Sequence, residues 1–242
     1  MIESVKNDRV KYYQKLKQKK YRDLEGLFLV EGNHLVEEAF KSGLLVEVLS
    51  SNKEDYGVPV IEVSSNVLNY LSDQNSGTNI IGVCKKIVEK SIKGNIVVLD
   101  DIQDPGNLGT IIRSALAFNI DTVVLSKYTV DLYNPKVIRS TEGMMFHINV
   151  VKKDLQEFLL SIKNEYKILG TDVIDGSSIN KYNNKDKYAL IIGSEGKGMK
   201  DESKKMCDDL IYIPMNKACE SLNAGVSASI LMYELNKGDN HE

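Results

Sequence analysis

Apolar residues recur along the chain in two alternating rhythms. Short runs rich in β-branched residues alternate with segments whose apolar positions repeat every three or four residues, the periods of strands and of helices. A basic helix is predicted within residues 5–22. Behind it, Gly26-Leu27-Phe28-Leu29-Val30 reads as a strand. Asn33 to Ser42 reads as a helix with Leu35, Val36, Ala39 and Phe40 on one face and Gly43 as its stop. Strands are predicted at 44–49, 58–63 and 80–84. A helix capped by Ser64 and carrying Val67, Leu68 and Leu71 separates the last two.

The polar stretch from Lys85 to Asn95 places a domain boundary near 88–94, dividing the chain into 1–92 and 93–242. Beyond it, strands at 96–99, 122–126, 146–151, 167–172, 188–193 and 210–214 alternate with helices at about 107–119, 134–140, 153–164, 200–206 and 221–236. Ile96-Val97-Val98-Leu99 suits a strand buried on both faces. The alternation predicts an α/β domain with a mainly parallel sheet, whose binding loops sit beyond the C-terminal ends of the strands.

Composition narrows the function classes. At 242 residues and 42% apolar, the chain can bury a core, which excludes wholesale disorder. The longest apolar run is Tyr188 to Ile192, far short of the ~20 residues of a membrane-spanning helix. No apolar stretch follows the first charges, so no secretory signal is expected. Cys84, Cys207 and Cys219 are odd in number and form no CxxC pair, and the three histidines are dispersed. A reduced, cytoplasmic protein without metal is the expectation. The net charge of −3 does not favour a nucleic-acid partner, but residues 5–22 hold eight basic residues against Asp8 alone. Lys11, Lys15, Lys19 and Arg22, with Tyr12, Tyr13 and Tyr21 interleaved, suit RNA binding through phosphate contacts and base stacking. A solvated helix face is the competing reading.

Three loops carry candidate chemistry. The first, Asp100 to Gly109, leads from a buried strand into a helix whose start suits an anion and which carries Arg113 six residues after Asn107. An ordinary turn with a capping Asn fits equally. The second, Gly193-Ser194-Glu195-Gly196-Lys197-Gly198-Met199, contains GxxxxG but lacks the Lys-Ser/Thr of a phosphate loop, so ATP or GTP binding is excluded there. The Rossmann GxGxxG is also absent, and Glu195 among glycines points to function rather than packing. The third runs from Ile213-Pro214-Met215 through Glu220-Ser221-Leu222-Asn223 into a small-residue helix, where Ser221 reads as an N-cap.

In this order the loops resemble the three motifs of the SpoU (TrmH) family of S-adenosylmethionine-dependent RNA 2′-O-ribose methyltransferases. Asp104-Pro105-Gly106-Asn107-Leu108-Gly109-Thr110-Ile111-Ile112-Arg113 matches the first, Leu190 to Met199 the second, and Ile213-Pro214-Met215 with Glu220 to Asn223 the third. Asn134 to Arg139, Gly143 and Phe146-His147 resemble the segment between motifs one and two. Phe28 to Gly32 and the helix after it resemble the small substrate-binding domain of the ribosomal-RNA branch. The family glycine after Ile-Pro-Met is replaced here by Asn216-Lys217.

The resemblance implies a SPOUT trefoil-knot methyltransferase domain preceded by a small ribosomal-protein-like α/β domain, and a homodimer that shares its RNA site. It implies donor contacts at Gly193, Ile213, Leu222 and Thr171, catalytic roles for Asn107, Arg113, Glu195, Ser221 and Asn223, and RNA contact at Arg139. An arginine, with a pKa above ~12, is a poor base. Arg113 is better suited to clamp the phosphate beside the reacting ribose. Ribosomal RNA is the expected substrate; transfer RNA, a non-catalytic RNA-binding relative and a dinucleotide enzyme are the alternatives.

Overall fold

The computed structural model describes residues 1–52, 55–74, 77–182 and 186–237. The chain forms two compact units, Met1–Val88 with Asp131–His147, and Glu89–Val130 with Ile148–Glu242. Among the described residues no helix is long and apolar enough to cross a membrane.

The first unit contains α1 (Asp8–Lys15), α2 (Lys19–Glu25), β1 (Leu27–Glu31), α3 (Asn33–Lys41), β2 (Leu45–Ser50), β3 (Val60–Glu62), α4 (Ser65–Leu71) and β4 (Ile80–Lys85) and, from further along the chain, α6 (Pro135–Ser140). Its described sheet runs β1-β4-β2-β3, antiparallel except for the β2–β3 pair. The later segment packs on β1 through Phe28, whose ring lies 4.7 Å from that of Tyr133 and 6.3 Å from that of Phe146.

The basic N-terminal segment is two helices rather than the single one its composition suggests. Asn7 caps the first, and the chain turns at Leu16, which is buried with Val10 and Tyr13 against Leu49, Ile61 and Leu68. Arg22 satisfies carbonyls left free by that turn, donating to Leu16 O at 3.1 Å and Lys17 O at 2.6 Å. Its Nη2 meets Asp131 Oδ2 at 2.6 Å. Arg22 is therefore a buried packing residue and not the RNA-facing cation expected from sequence. Tyr13 is likewise buried, its hydroxyl donating to Glu47 at 2.8 Å, so it offers no ring to a base.

The second unit contains β5 (Ile96–Asp100), α5 (Pro105–Ala117), β6 (Thr122–Leu125), β7 (Asn149–Lys152), α7 (Leu155–Ile162), β8 (Lys167–Thr171), β9 (Ser177–Ser178), β10 (Tyr188–Gly193), α8 (Asp201–Lys204), β11 (Asp209–Tyr212) and α9 (Ala224–Leu235). The strand order is β7-β6-β5-β10-β8-β11-β9, and every pair is parallel. Ile96, Val98, Ala189 and Ile191, on the adjacent central strands β5 and β10, pack in one core with Val151, Phe158 and Ile168. Because all strands point one way, the loops after β5, β6, β8, β10 and β11 gather at one edge of the sheet.

Several boundaries differ from the expected ones. Strand β7 begins at Asn149, because Gly143, at φ +81°, leads into a 3₁₀ turn over Met144–Phe146. Strand β11 ends at Tyr212, before Pro214, which has no N–H for a ladder. The two-residue β9 has no apolar pattern and left no signal.

Helices α5 and α9 pack closely. A Cβ on Gly225 would stand 3.1 Å from Thr110 Cβ, and the Ser114 and Ser229 hydroxyls are 2.6 Å apart. Asn236 closes the far end, donating to Phe118 O at 2.7 Å.

Arg22→Ala removes one half of a buried pair and strands Asp131, so it should lower the unfolding free energy by about 3 kcal/mol in urea titration. A loss below about 1 kcal/mol would show that Arg22 is dispensable to the fold.

Candidate functional site

The first loop reaches the site because its Pro-Gly-Asn is the opening turn of α5 rather than a free loop. Asp104 is the N-cap, its side chain accepting from Asn107 N at 2.9 Å, and Pro105 occupies the first turn, where a missing N–H costs nothing. Asn107 is therefore the third helical residue and not the cap. It is buried, with its amide held between the other two motifs.

Asn107 Nδ2 donates to Glu195 Oε1 at 2.6 Å, and Asn107 Oδ1 accepts from Asn223 Nδ2 at 2.7 Å. Asn223 in turn caps α9, its Oδ1 accepting from Val226 N at 3.2 Å. It fills the N-cap position that the sequence suggested for Ser221, which lies in the exposed loop before it. Donors and acceptors alternate along the chain Asn223–Asn107–Glu195, so each bond polarises the next in the same direction.

Glu195 is the anionic end of that chain. Partial burial pushes its carboxyl upward, but the Asn107 amide and backbone N–H groups, including those of Gln103 and Asp104, outweigh this and hold it below the ordinary 4.5. Those amides lie 3.2 and 3.4 Å from its oxygens. The carboxylate stands on a tight turn in which Ser194 and Gly198 exchange backbone hydrogen bonds. Gly193 makes that turn possible, since a Cβ there would lie 2.2 Å from the Gly198 carbonyl carbon.

Beside this chain, beyond the C-terminal ends of β8, β10 and β11, is a cavity of about 480 Å³. Thr171, Gly193, Ile213 and Leu222 all line it, as do Glu195, Ser221 and Asn223. Ile192, Ile211 and Leu231 give it an apolar floor. Its charged lining residues are Asp172 and Glu195, with no lysine, arginine or histidine among the described lining. Asp172 pairs with Lys204 at 2.5 Å, and this keeps its carboxyl below the usual range despite burial.

Arg113 is not part of this cluster. It lies on the exposed side of α5, about 9 Å of helix rise beyond Asn107, and makes no hydrogen bond or ion pair with the described residues. Of the basic residues singled out from sequence, Lys11 pairs with Asp8 at 2.9 Å, Lys19 with Asp23 at 2.5 Å, and the Lys15 ammonium sits 5.6 Å from the Tyr21 ring. Arg139 is half-buried on α6, its Nη1 without a hydrogen-bond partner among the described residues. The amides of Gln103 and Asp104 are site groups that sequence reasoning missed, since backbone donors leave no residue signature.

The link between Asn107 and the Glu195 carboxylate carries its own pH dependence. A folded value below 4.5 means that the link is fully present above about pH 4.5 and is lost as the pH falls through the lowered value. The Asn107 side-chain amide NMR signals should hold steady from pH 7 to about 5 and move only below; a transition above pH 5 contradicts the assignment.

A model of the SpoU rRNA Methylase family matches residues 94–233, and one of the MRM3-like substrate binding domain matches residues 7–82. The chain is 37% identical to the 23S rRNA (guanosine(2553)-2′-O)-methyltransferase RlmP of Bacillus subtilis, across 97% of this chain and 98% of that protein. It superposes on the crystal structure of an AdoMet-bound rRNA methyltransferase from Sinorhizobium meliloti with a TM-score of 0.87 and 25% identity, over 96% of this chain and 95% of that one. The SpoU methyltransferase AviRb from Streptomyces viridochromogenes, in complex with AdoMet, shares the fold at a TM-score of 0.86 and 23% identity, over 97% and 98% of the two chains. With the second and third motif loops lining one cavity, the first tied to both through Asn107, and a family model spanning more than half its length, the chain belongs to the SpoU rRNA methylase family.

Proposed function

We propose that the chain transfers a methyl group from S-adenosylmethionine to a ribose 2′-hydroxyl of ribosomal RNA, with the counterpart of guanosine 2553 of 23S rRNA as the first position to test. One observation carries this reading: a cavity lined by two carboxylates and, among the described residues, no cation, tied through Glu195 and Asn223 to the helix that bears Arg113. The volume lies within the ~300–1,000 Å³ of small-molecule sites. The electrostatics suit a cationic nucleoside and oppose a pyrophosphate, which argues against a dinucleotide.

When bound, the donor supplies an electrophilic methyl on a sulfonium. The chain's task is then to hold the attacking oxygen in line and ease the loss of its proton. Asn107 fixes the spacing between the cavity wall and α5. Arg113, permanently charged and without a partner among the described residues, holds the phosphate next to the reacting ribose and stabilises the oxygen as it loses its proton. Ser221 orders the loop at the cavity mouth. Residues 1–92 act as the RNA substrate-binding domain and 93–242 as the methyltransferase domain, in a cytoplasmic protein.

A homodimer completes the proposal. On helix α9, Val226 and Tyr233 form one stripe with Ile230 and are 45% and 51% exposed. Tyr233 packs edge-on against Phe118 of the α5 end at 5.6 Å, so the stripe continues onto a second element.

With labelled donor and unmodified 23S rRNA, the wild-type protein should transfer label. Arg113→Ala should reduce transfer at least 100-fold, about 3 kcal/mol of transition-state stabilisation, with donor affinity within about twofold of wild type. Equal loss of transfer and donor binding would make Arg113 structural. No transfer by wild type would favour the non-catalytic RNA-binding alternative.

A further inference from the structure

The loop after β6 carries an aromatic ring that nothing in the fold requires. Tyr128 is 63% exposed, while its neighbours Ser126 and Thr129 are buried. Hydrogen bonds hold the loop: the Ser126 and Thr129 hydroxyls are 2.8 Å apart, and Thr129 Oγ1 donates to Leu99 O at 3.2 Å. Gln103 ties it to the site. Its Nε2 donates to Tyr128 O at 2.5 Å, and its backbone N donates to Glu195 Oε2 at 3.2 Å. One residue thus separates Tyr128 from the hydrogen-bonded chain of the three motifs.

Two ammonium groups flank the ring, Lys200 at 5.3 Å and Lys127 at 5.7 Å from its centroid. Lys200 is held there by Asp101 at 2.6 Å and by the buried Asp100 carboxylate at 3.6 Å. Lys127 has no carboxylate partner among the described residues. An exposed ring on a hydrogen-bonded loop, bordered by cations, is what an unpaired base and its phosphates bind to. In the basic N-terminal helices Tyr13 is buried and the Tyr12 hydroxyl is bonded to Glu25; Tyr21 has Lys15 and Lys20 at 5.6 and 5.8 Å from its ring, but is less exposed than Tyr128.

We infer that Tyr128 is a stacking platform for a base of the RNA substrate near the methylated ribose, with Lys127 contacting a phosphate. This rests on the RNA-methyltransferase reading and adds a positioning residue to it.

The test is binding of unmodified, transcribed 23S rRNA to the full-length protein. Tyr128→Ala should weaken RNA affinity roughly 5- to 100-fold and Tyr128→Phe should retain it. S-adenosylmethionine affinity should be unchanged in both. Lys127→Ala should lower the slope of log Kd against log salt by about one. The chain has no tryptophan, so Tyr128→Trp provides a single emitter at the platform, which RNA should quench. Wild-type RNA affinity in Tyr128→Ala, emission from Tyr128→Trp that saturating RNA leaves unchanged, or a change of oligomeric state in place of RNA affinity would each overturn the inference. If wild type binds RNA but transfers no methyl, the catalytic reading fails while these affinities still decide the role of Tyr128. If wild type binds no RNA, both fail.

Discussion

One carboxamide holds the site together. Asn107 sits at the start of α5 and bonds to Glu195 on one side and Asn223 on the other, at 2.6 and 2.7 Å. These two partners lie 88 and 116 positions away from Asn107 along the chain. A buried amide left unmatched costs ~1–3 kcal/mol, so each bond resists separation of the loops it joins. The cavity walls formed by the second and third loops therefore have a fixed spacing before any donor arrives. Such preorganisation lowers the entropy cost of binding and of aligning the reacting groups.

The parallel sheet makes this convergence possible. Strands β5, β8, β10 and β11 end on the same side, so residues distant in sequence are delivered to one edge. The tight glycine turn at Gly193 and the small-residue contact between α5 and α9 then bring Glu195 and Asn223 within reach of Asn107. Among the described lining residues the charged groups are Asp172, paired with Lys204, and Glu195, with no lysine or arginine.

Much of this was legible in the sequence, for physical reasons. The β-branched runs at 96–99 and 188–193 mark strands buried on both faces, and Asp-Pro-Gly-Asn marks the helix start beside them. Asn107 and Glu195 stand out because each closely follows a glycine beyond an apolar strand, whereas Asn223 has no such mark and is singled out only by its place in the third motif. Other features left no such mark. Arg22 and Lys19 look alike as charges in sequence, yet one is buried against carbonyls and Asp131 while the other is exposed. Ser221 and Asn223 are both capable caps, and only the path of the chain into α9 decides between them. The Gln103 and Asp104 amides act through backbone groups, and the Tyr128 platform depends on Lys200, 72 positions away.

Calorimetric titration of S-adenosylmethionine into wild-type and Asn107→Ala protein most directly tests whether this amide sets the cavity. Asn107 does not line the cavity, so its truncation removes no contact with the donor. A donor affinity lowered on the order of tenfold, with the fold retained, is the expected result for a strut worth ~1–2 kcal/mol. Wild-type affinity in Asn107→Ala would contradict it, since the second and third loops would then form the cavity without being tied through Asn107.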